Sequence, residues 1–254
     1  MKALTVIIFI IAFVSGSLGK PDGSHDHRHR KGGRVINPDQ QEHFRSWARR
    51  HRIRYGNQDV EKAAMETMLT NKEEIDAHNE RFDAGEVTFK RALWKHSDKT
   101  FEEKRQNLMG IAVPPESRSA PVPPALPQFP VGPVTVDWGK KGLVGPVEDQ
   151  GWCGCCWAFS AAGVVDAVLR RKKINAVTSQ QQFIDCANQG CWGCSSGWPK
   201  YALDYAKTNG GANETTYPFM GNQGACYYKN TSAIGFISNV YEFPTRGECF
   251  LPFN

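Results

Sequence analysis

The residues with the clearest chemical meaning form one continuous string, Gln150-Gly-Trp-Cys153-Gly-Cys-Cys156-Trp-Ala-Phe-Ser160. A cysteine attacks a carbonyl carbon only as its thiolate, and a helix N-terminus lowers the pKa of a thiol from its ordinary value of about 8.5. Cys156 begins an apolar run that predicts a helix, so the helix dipole would favour its anion. The Gln150 side-chain amide and the Cys156 backbone N–H are the two donors expected to face an oxyanion. The string therefore predicts nucleophilic catalysis by a thiolate.

Zinc binding is the competing explanation for this group of cysteines. Structural zinc sites use spaced pairs of ligands, whereas Cys155 and Cys156 are adjacent at the predicted start of a helix. No histidine lies near them in the sequence, and zinc would not require the Gln-Gly lead-in. We therefore expect no metal and no cofactor. The cysteines considered as ligands are Cys153, Cys155, Cys156, Cys191 and Cys194.

The helix that would position Cys156 is predicted to run from Cys156 to Lys173. Its apolar positions recur at helical intervals, and four basic residues at 170–173 place positive charge in the last turn, where the dipole favours it. A stretch rich in glycine and cysteine follows, and then a short helix around Tyr201–Lys207 is predicted. The apolar positions of the first helix are Trp157, Phe159, Val164, Val168 and Leu169.

The region before these elements has a different composition. Residues 40–113 are rich in good helix formers, and residues 65, 68, 69, 75 and 82 are apolar at helical intervals. Residues 114–133 contain eight prolines, which exclude helix and sheet and predict an extended linker. The compact domain is expected to begin at residue 134.

The N-terminus and the cysteines predict entry into the secretory pathway. Residues 1–19 have the charged start, short apolar core and small residues of a signal peptide cleaved before Lys20, and the run is too short to span a membrane comfortably. A basic, His-rich leader is predicted at 20–39. All eight cysteines lie between 153 and 249, which favours disulfides in an oxidising compartment. Asn213 and Asn230 begin N-glycosylation triplets. The formal charge of +5 is too small to indicate nucleic acid.

Several motifs resemble the first half of mature papain and cathepsin L-like cysteine proteases. They are Val136-Asp-Trp138, the segment from Gly142 to Gln150, the Cys156 string, Ser179 to Cys186, Cys191 to Ala202, and Tyr217-Pro-Phe219 with Cys226. The resemblance implies an α+β papain-like fold, of which residues 134–254 are the helical half-domain only. It also implies secretion or delivery to lysosomes and action on peptide or protein substrates.

The resemblance assigns roles to individual residues. Cys156 would be the nucleophile and Gln150 the oxyanion donor. Ser196 and Gly197 would line the groove for the substrate backbone, and Trp198 and Pro199 the pocket for an apolar side chain. It implies disulfides Cys153–Cys194 and Cys186–Cys226. Cys155 and Cys191 are additional cysteines, which either form a third bridge or leave Cys155 free.

Residues 40–113 resemble the inhibitory propeptide of the same family, which implies that the chain is inhibited by its own prosegment. Asn71, Ile75 and Asn79 match the end of the long-helix motif, and Asp98 matches the last position of the following motif. The earlier motif positions differ from the family pattern, being Val60, Ala64 and Met68.

The sequence contains no histidine after Cys156. The family places its general-base His and orienting Asn about 130–150 residues after the nucleophile, and this sequence ends at Asn254. The chain is therefore expected to be a C-terminally truncated cysteine endopeptidase precursor that is inactive as it stands. The alternative is a non-catalytic inhibitor or binder of related proteases. The seven histidines are His25, His27, His29, His43, His51, His78 and His96.

Overall fold

Six α-helices account for most of the regular structure. The computed structural model describes residues 34–115 and 136–240, so the predicted signal peptide and most of the predicted leader and linker lie outside it. The helices are α1 (Pro38–Arg50), α2 (Gln58–Asp83), α3 (Phe101–Leu108), α4 (Cys156–Arg171), α5 (Gln180–Cys186) and α6 (Pro199–Asn209), followed by a 3-10 turn at Asn230–Ser232. Strand pairing in these two ranges is limited to isolated bridges.

The chain divides into two compact units, with the boundary after Arg105. We call the described residues 34–105 the first unit and the described residues 106–240 the second unit. Helices α1 and α2 lie in the first unit, and α4, α5 and α6 lie in the second. Within the described ranges, no helix combines the length and apolar character needed to cross a bilayer.

The first unit is built on two capped helices. The Asn37 side chain accepts from the Gln40 N–H and the Gln40 side chain accepts from the Asn37 N–H, so both helix-terminal donors are satisfied. Asn57 caps α2 by accepting from the Val60 N–H at 2.9 Å. Apolar residues of both helices form the core, namely Phe44, Trp47, Ala48, Ala64, Met65, Met68 and Leu69.

After α2 the chain returns as extended segments and turns rather than as a continuous helix. The composition of residues 40–113 did not predict this change, which begins at Gly85 with a φ of +78°. Two asparagine side chains of α2 hold the returning segment. Asn79 accepts from the Arg91 N–H at 2.8 Å and donates to the Arg91 carbonyl at 2.9 Å. Asn71 donates to the Ser97 carbonyl at 2.7 Å.

The second unit is organised around α4. This helix ends at Arg171, two residues before the predicted end, because Lys173 adopts a left-handed φ of +64°. Its core joins α4, α5 and α6 through Trp157, Val165, Phe183, Leu203 and Ala206, each at most 1% exposed.

Helix α5 contributes three consecutive buried glutamines, Gln180, Gln181 and Gln182. The Gln180 amide donates to the Glu148 carboxylate at 2.6 Å. The Gln181 side-chain amide donates to the Asn222 backbone carbonyl at 2.7 Å. The Gln182 side-chain oxygen accepts from the Ala212 N–H at 2.6 Å. Each buried amide therefore joins α5 to a different segment of the second unit.

Candidate active site

Cys156 is the first residue of α4, as the apolar pattern predicts. Cys155 occupies the N-cap position, and no side chain caps the helix there. The last turn carries Arg170 and Arg171, which complement the helix dipole, and the first turn carries no acidic residue. The neighbouring Trp157 is fully buried and donates from its indole N–H to the Gly193 carbonyl at 3.1 Å. This contact links the start of α4 to the segment that holds the predicted groove residues.

A disulfide reinforces the same link. Cys153 is bonded to Cys194, and Cys186 is bonded to Cys226. The Gly154 N–H donates to the Cys194 carbonyl at 2.9 Å. A Cβ on Gly154 would lie 2.5 Å from that oxygen, so only glycine allows the two backbones to approach this closely.

The sequence left two alternatives for Cys155 and Cys191, a third bridge or a free Cys155, and the structure has the second. Both residues carry free, buried thiols. The Cys155 sulfur lies 3.5 Å from the Cys153 carbonyl oxygen, whereas the Cys191 sulfur lies 3.8 Å from the Trp198 carbonyl oxygen. Each thiol is directed to a separate backbone acceptor. Burial raises the pKa of the Cys155 thiol to about 12 and that of Cys191 to about 11.

The Gln150 side-chain amide lies against the turn that precedes α4. It donates to the Cys153 carbonyl at 2.7 Å and to the Leu108 carbonyl at 3.1 Å. Leu108 is the last residue of α3, and it begins an extended arm, which we define as residues 108–112. The predicted oxyanion donor is therefore hydrogen-bonded to a backbone carbonyl of this arm.

The predicted groove residues meet the same arm. The Gly197 N–H donates to the Gly110 carbonyl at 2.8 Å, and the Ala112 N–H donates to the Gly197 carbonyl at 3.1 Å. Ile111 and Gly197 form an isolated parallel bridge. On its other side, a Cβ on Gly197 would lie 2.5 Å from the Trp157 ring. Gly197 thus lies between the indole ring of Trp157 and the arm.

Ser196, Trp198 and Pro199 flank this contact. The Ser196 carbonyl accepts from the Trp192 N–H at 2.7 Å. This hydrogen bond folds residues 191–199, which we call the groove segment, into a tight loop. Trp198 is the N-cap residue of α6 and Pro199 is its first residue. The short predicted helix around Tyr201–Lys207 is thereby extended at both ends to Pro199–Asn209.

The arm passes closest to the turn before α4 at Gly110. A Cβ on Gly110 would lie 1.6 Å from the Gly154 carbonyl oxygen, which no side chain tolerates. Leu108, Gly110 and Ala112 were not predicted as site residues. The one available indication was a glycine inside an apolar run directly before the proline-rich linker.

Carboxylates cluster beside the segment that leads to Gln150. Burial, followed by the charges of Asp166 and Glu214, raises the pKa of Glu148. Burial also raises the pKa of Asp166, which accepts from the Thr178 N–H at 2.8 Å and lies 3.6 Å from the Arg170 guanidinium. These groups favour their protonated forms more than exposed carboxylates do.

The two glycosylation triplets have different local structures. The Asn213 side-chain oxygen accepts from the Thr215 N–H at 3.0 Å and from the Thr215 hydroxyl at 2.8 Å. Asn230 is exposed at the start of the 3-10 turn. Modification of either asparagine stays a prediction. The described histidines, His43, His51, His78 and His96, all belong to the first unit.

Two family models match separate parts of the chain. Residues 44–103 match the cathepsin propeptide inhibitor domain, and residues 132–248 match the papain family cysteine protease. The chain is 34% identical over 217 residues to a cathepsin L-like peptidase of Aedes aegypti, covering 82% of this chain and 64% of that protein. It is 34% identical over 203 residues to procathepsin L of Felis catus, covering 79% and 60%.

A solved structure shows the same fold. Digestive procathepsin L2 from the larval midgut of Tenebrio molitor superposes with a TM-score of 0.68 at 26% identity, covering 78% of this chain and 66% of that chain. The chain spans about three-fifths of the length of the curated relatives described above. Its described residues comprise a prosegment and the helical half-domain of the papain-like fold. The chain therefore belongs to the papain-like, cathepsin L-like cysteine protease precursors.

Proposed function

We propose that the chain is the precursor of a cysteine endopeptidase whose nucleophile is Cys156. The observation that supports this most directly is that the arm of the chain itself is hydrogen-bonded to the candidate site. The Gln150 amide and the Gly197 backbone are the groups that a bound peptide would use, and both are hydrogen-bonded to the arm. A site that binds one extended segment by its backbone suits peptide and protein substrates.

In the proposed reaction the Cys156 thiolate attacks the carbonyl carbon of a peptide bond. The start of α4 stabilises the thiolate, while the Gln150 amide and the Cys156 N–H donate to the oxyanion. Collapse of this intermediate expels the amine and leaves a thioester on Cys156, which water then hydrolyses. Ser196 and Gly197 would align the substrate backbone, and Trp198 and Pro199 would receive an apolar side chain.

This reaction also needs a base that takes the thiol proton and delivers it to the leaving amine. By the family resemblance this base is a histidine located after the nucleophile, and no histidine follows Cys156 in this sequence. We therefore expect the Cys156 half of the site to bind peptides once the arm has left it, and turnover to require that base.

The arm would act as an intramolecular inhibitor. The arm closely follows residues 44–103, which match the cathepsin propeptide inhibitor domain. While Leu108 and Gly110 hold their hydrogen bonds to Gln150 and Gly197, no substrate carbonyl can take those donors. A secreted or lysosomal location, with N-linked glycans on Asn213 and Asn230, belongs to the same proposal.

A non-catalytic inhibitor or binder of related proteases is the second candidate. The first unit supports it, because α1 and α2 have their own core and satisfied caps and depend on no disulfide. Such a unit has the features needed to fold by itself and act on another protease.

A peptidyl epoxide, which alkylates an activated thiol in a substrate cleft, distinguishes the two candidates. The full chain is incubated with the epoxide and the modified peptide is identified by mass spectrometry, with Cys156→Ala as the control variant. Stoichiometric modification of Cys156 alone supports the precursor proposal. Absence of modification, together with inhibition of an active papain-like protease by both the native chain and Cys156→Ala, supports the inhibitor instead.

A further inference from the structure

The residues Cys153, Gly154 and Cys155 form a tight turn that brings a free thiol next to a disulfide-bonded cysteine. The Cys155 N–H donates to the Cys153 carbonyl at 2.8 Å. The Cys155 sulfur folds back and lies 3.5 Å from the same carbonyl oxygen. Both cysteines are fully buried. The side chains of Cys153 and Cys155 therefore begin from two backbone positions that a hydrogen bond holds together.

The partner of Cys153 is also held against this turn. Cys194 forms the disulfide with Cys153, and its carbonyl accepts from the Gly154 N–H between the two cysteines. Since Gly154 has no Cβ, the backbone of Cys194 approaches the turn directly. The Cys155 thiol and the Cys153–Cys194 disulfide thus start from adjacent backbone positions, and exchange requires that the thiolate reach a disulfide sulfur.

We infer that Cys155 is an internal exchange thiol for the Cys153–Cys194 disulfide. Cys155 loses its proton, and its thiolate attacks the Cys153 sulfur. The Cys153–Cys194 bond breaks, a Cys153–Cys155 bond forms, and the electron pair leaves on the Cys194 sulfur, which takes up a proton. One thiol and one disulfide are present before and after, so no external oxidant or reductant is needed.

The different exposure of the cysteines favours the product in which Cys153 is bonded to Cys155 and Cys194 is free. Cys194 is partly exposed, whereas Cys153 and Cys155 are fully buried. A leaving thiolate is stabilised by water, so release at Cys194 is favoured over release at Cys153. The new bond also forms between two residues of the same turn, Cys153 and Cys155.

The closed turn limits the rate of exchange. Burial, followed by the neighbouring Cys156 thiol, raises the pKa of Cys155 to about 12, so little thiolate forms at neutral pH. Alkaline pH or opening of the turn removes this limit. Exchange then removes the covalent link between the groove segment, Cys191–Pro199, and the segment that carries Cys156, and leaves the hydrogen bonds between them. The device is a switch that loosens the substrate groove, and its chemistry does not depend on the proposed peptidase activity.

The experiment compares two full-length variants that both lack the neighbouring thiol of Cys156. One carries Cys156→Ala alone, and the matched control carries Cys156→Ala with Cys155→Ser. Each is incubated at pH 9 without added thiol, quenched with acid, alkylated with N-ethylmaleimide and mapped by mass spectrometry. We expect Cys194 to become alkylated and Cys155 to become protected in the first variant only. The rate should rise about tenfold per pH unit below the thiol pKa and be independent of protein concentration.

Three results would overturn the inference. The first is an intact Cys153–Cys194 bridge under conditions in which Cys155 itself is alkylated, because the turn has then opened without exchange. The second is equal release of Cys194 in the control, which would assign the reaction to another thiol, Cys191 or Cys249. The third is release of Cys153 in place of Cys194. Near-ultraviolet circular dichroism before incubation verifies that both variants are folded.

Discussion

The two units of this chain are stabilised in different ways. The first unit, residues 34–105, has an apolar core between two capped helices, and the sequence has no cysteine before Cys153. The second unit, residues 106–240, adds to its core two disulfides that each close about 40 residues of sequence, at separations of 41 and 40. It also buries three consecutive glutamines with partners distant in sequence. Both units combine an apolar core with polar contacts distant in sequence, and the second unit alone adds covalent links.

This difference predicts that the units respond to different perturbations. Loss of helix packing can therefore unfold the prosegment without reduction of a disulfide. The site around Cys156 would then keep its Cys153–Cys194 crosslink. The following changes test that separation, beginning with the largest expected effect.

Phe44→Ala should destabilise the first unit most. Phe44 is 1% exposed between α1 and α2, and truncation of a buried phenylalanine costs about 3–5 kcal/mol. Hydrogen exchange of α2 amides in the full chain measures the loss. Phe101→Ala is the control, because Phe101 is 67% exposed and surface changes cost within about 0.5 kcal/mol. Equal loss of protection in α4 and α2 would contradict the separation of the units.

Replacement of Cys186 and Cys226 by serine should destabilise the second unit by about 2–4 kcal/mol, because the unfolded chain is no longer constrained. Urea denaturation, combined with exchange protection of α4 and α5, measures this loss. Protection of α2 should stay unchanged, since no disulfide lies in the first unit. Cys191→Ala removes a buried thiol without removing a bridge, and it should cost clearly less. A similar cost for both changes would show that packing rather than the crosslink matters.

Gly110→Ala should weaken the arm without unfolding either unit. The new Cβ would lie 1.6 Å from the Gly154 carbonyl oxygen, and relief of such a clash costs about 1–3 kcal/mol. We therefore expect alkylation of Cys156 by a peptidyl epoxide to accelerate roughly 5- to 150-fold. The control is Gly56→Ala, since a Cβ on Gly56 meets no atom within 4 Å. An unchanged alkylation rate in Gly110→Ala would refute the inhibitory role of this contact.

The smallest expected effect is the pH dependence of the stability of the second unit. The pKa values of Glu148 and Asp166 are raised in the folded chain, mainly by burial, so the folded state binds protons more readily than the unfolded state. Their contribution is fully present below the unfolded pKa values, about 4, and is lost as pH rises through the raised folded values. Urea denaturation should therefore show a contribution from these groups that favours folding at pH 4 over pH 7.

Glu148→Gln should reduce this pH dependence, whereas a change at the exposed Glu42 should leave it unaltered. Thr178 and Arg170, the partners of Asp166, are kept in both variants. An unchanged pH dependence in Glu148→Gln would show that Glu148 does not contribute.

Sequence patterns predicted the parts of the site that depend on side-chain type. The apolar positions at helical intervals predicted α4 from its first residue, Cys156, and the resemblance implied the two disulfides that form. The end of α4 was misplaced by two residues, since charge at 170–173 indicates a last turn but not the left-handed φ of Lys173.

The arm was not predictable from side chains because it is bound through its backbone. Leu108, Gly110 and Ala112 use peptide carbonyls and N–H groups that every residue type shares. Composition and periodicity contain no information on such contacts. The free state of Cys155 and Cys191 was similarly open, since sequence shows the number of thiols but not the direction of each side chain.

The three buried glutamines of α5 have a consequence for how the length of this chain can change. An inserted or deleted residue rotates every later helical position by about 100°. Within Gln180–Gln182, such a shift would detach the segments at 148, 212 and 222 together, leaving several buried polar groups unpaired. Length variants of this chain should therefore accumulate in exposed loops, and a single-codon deletion in α5 should be lost from any library selected for folding.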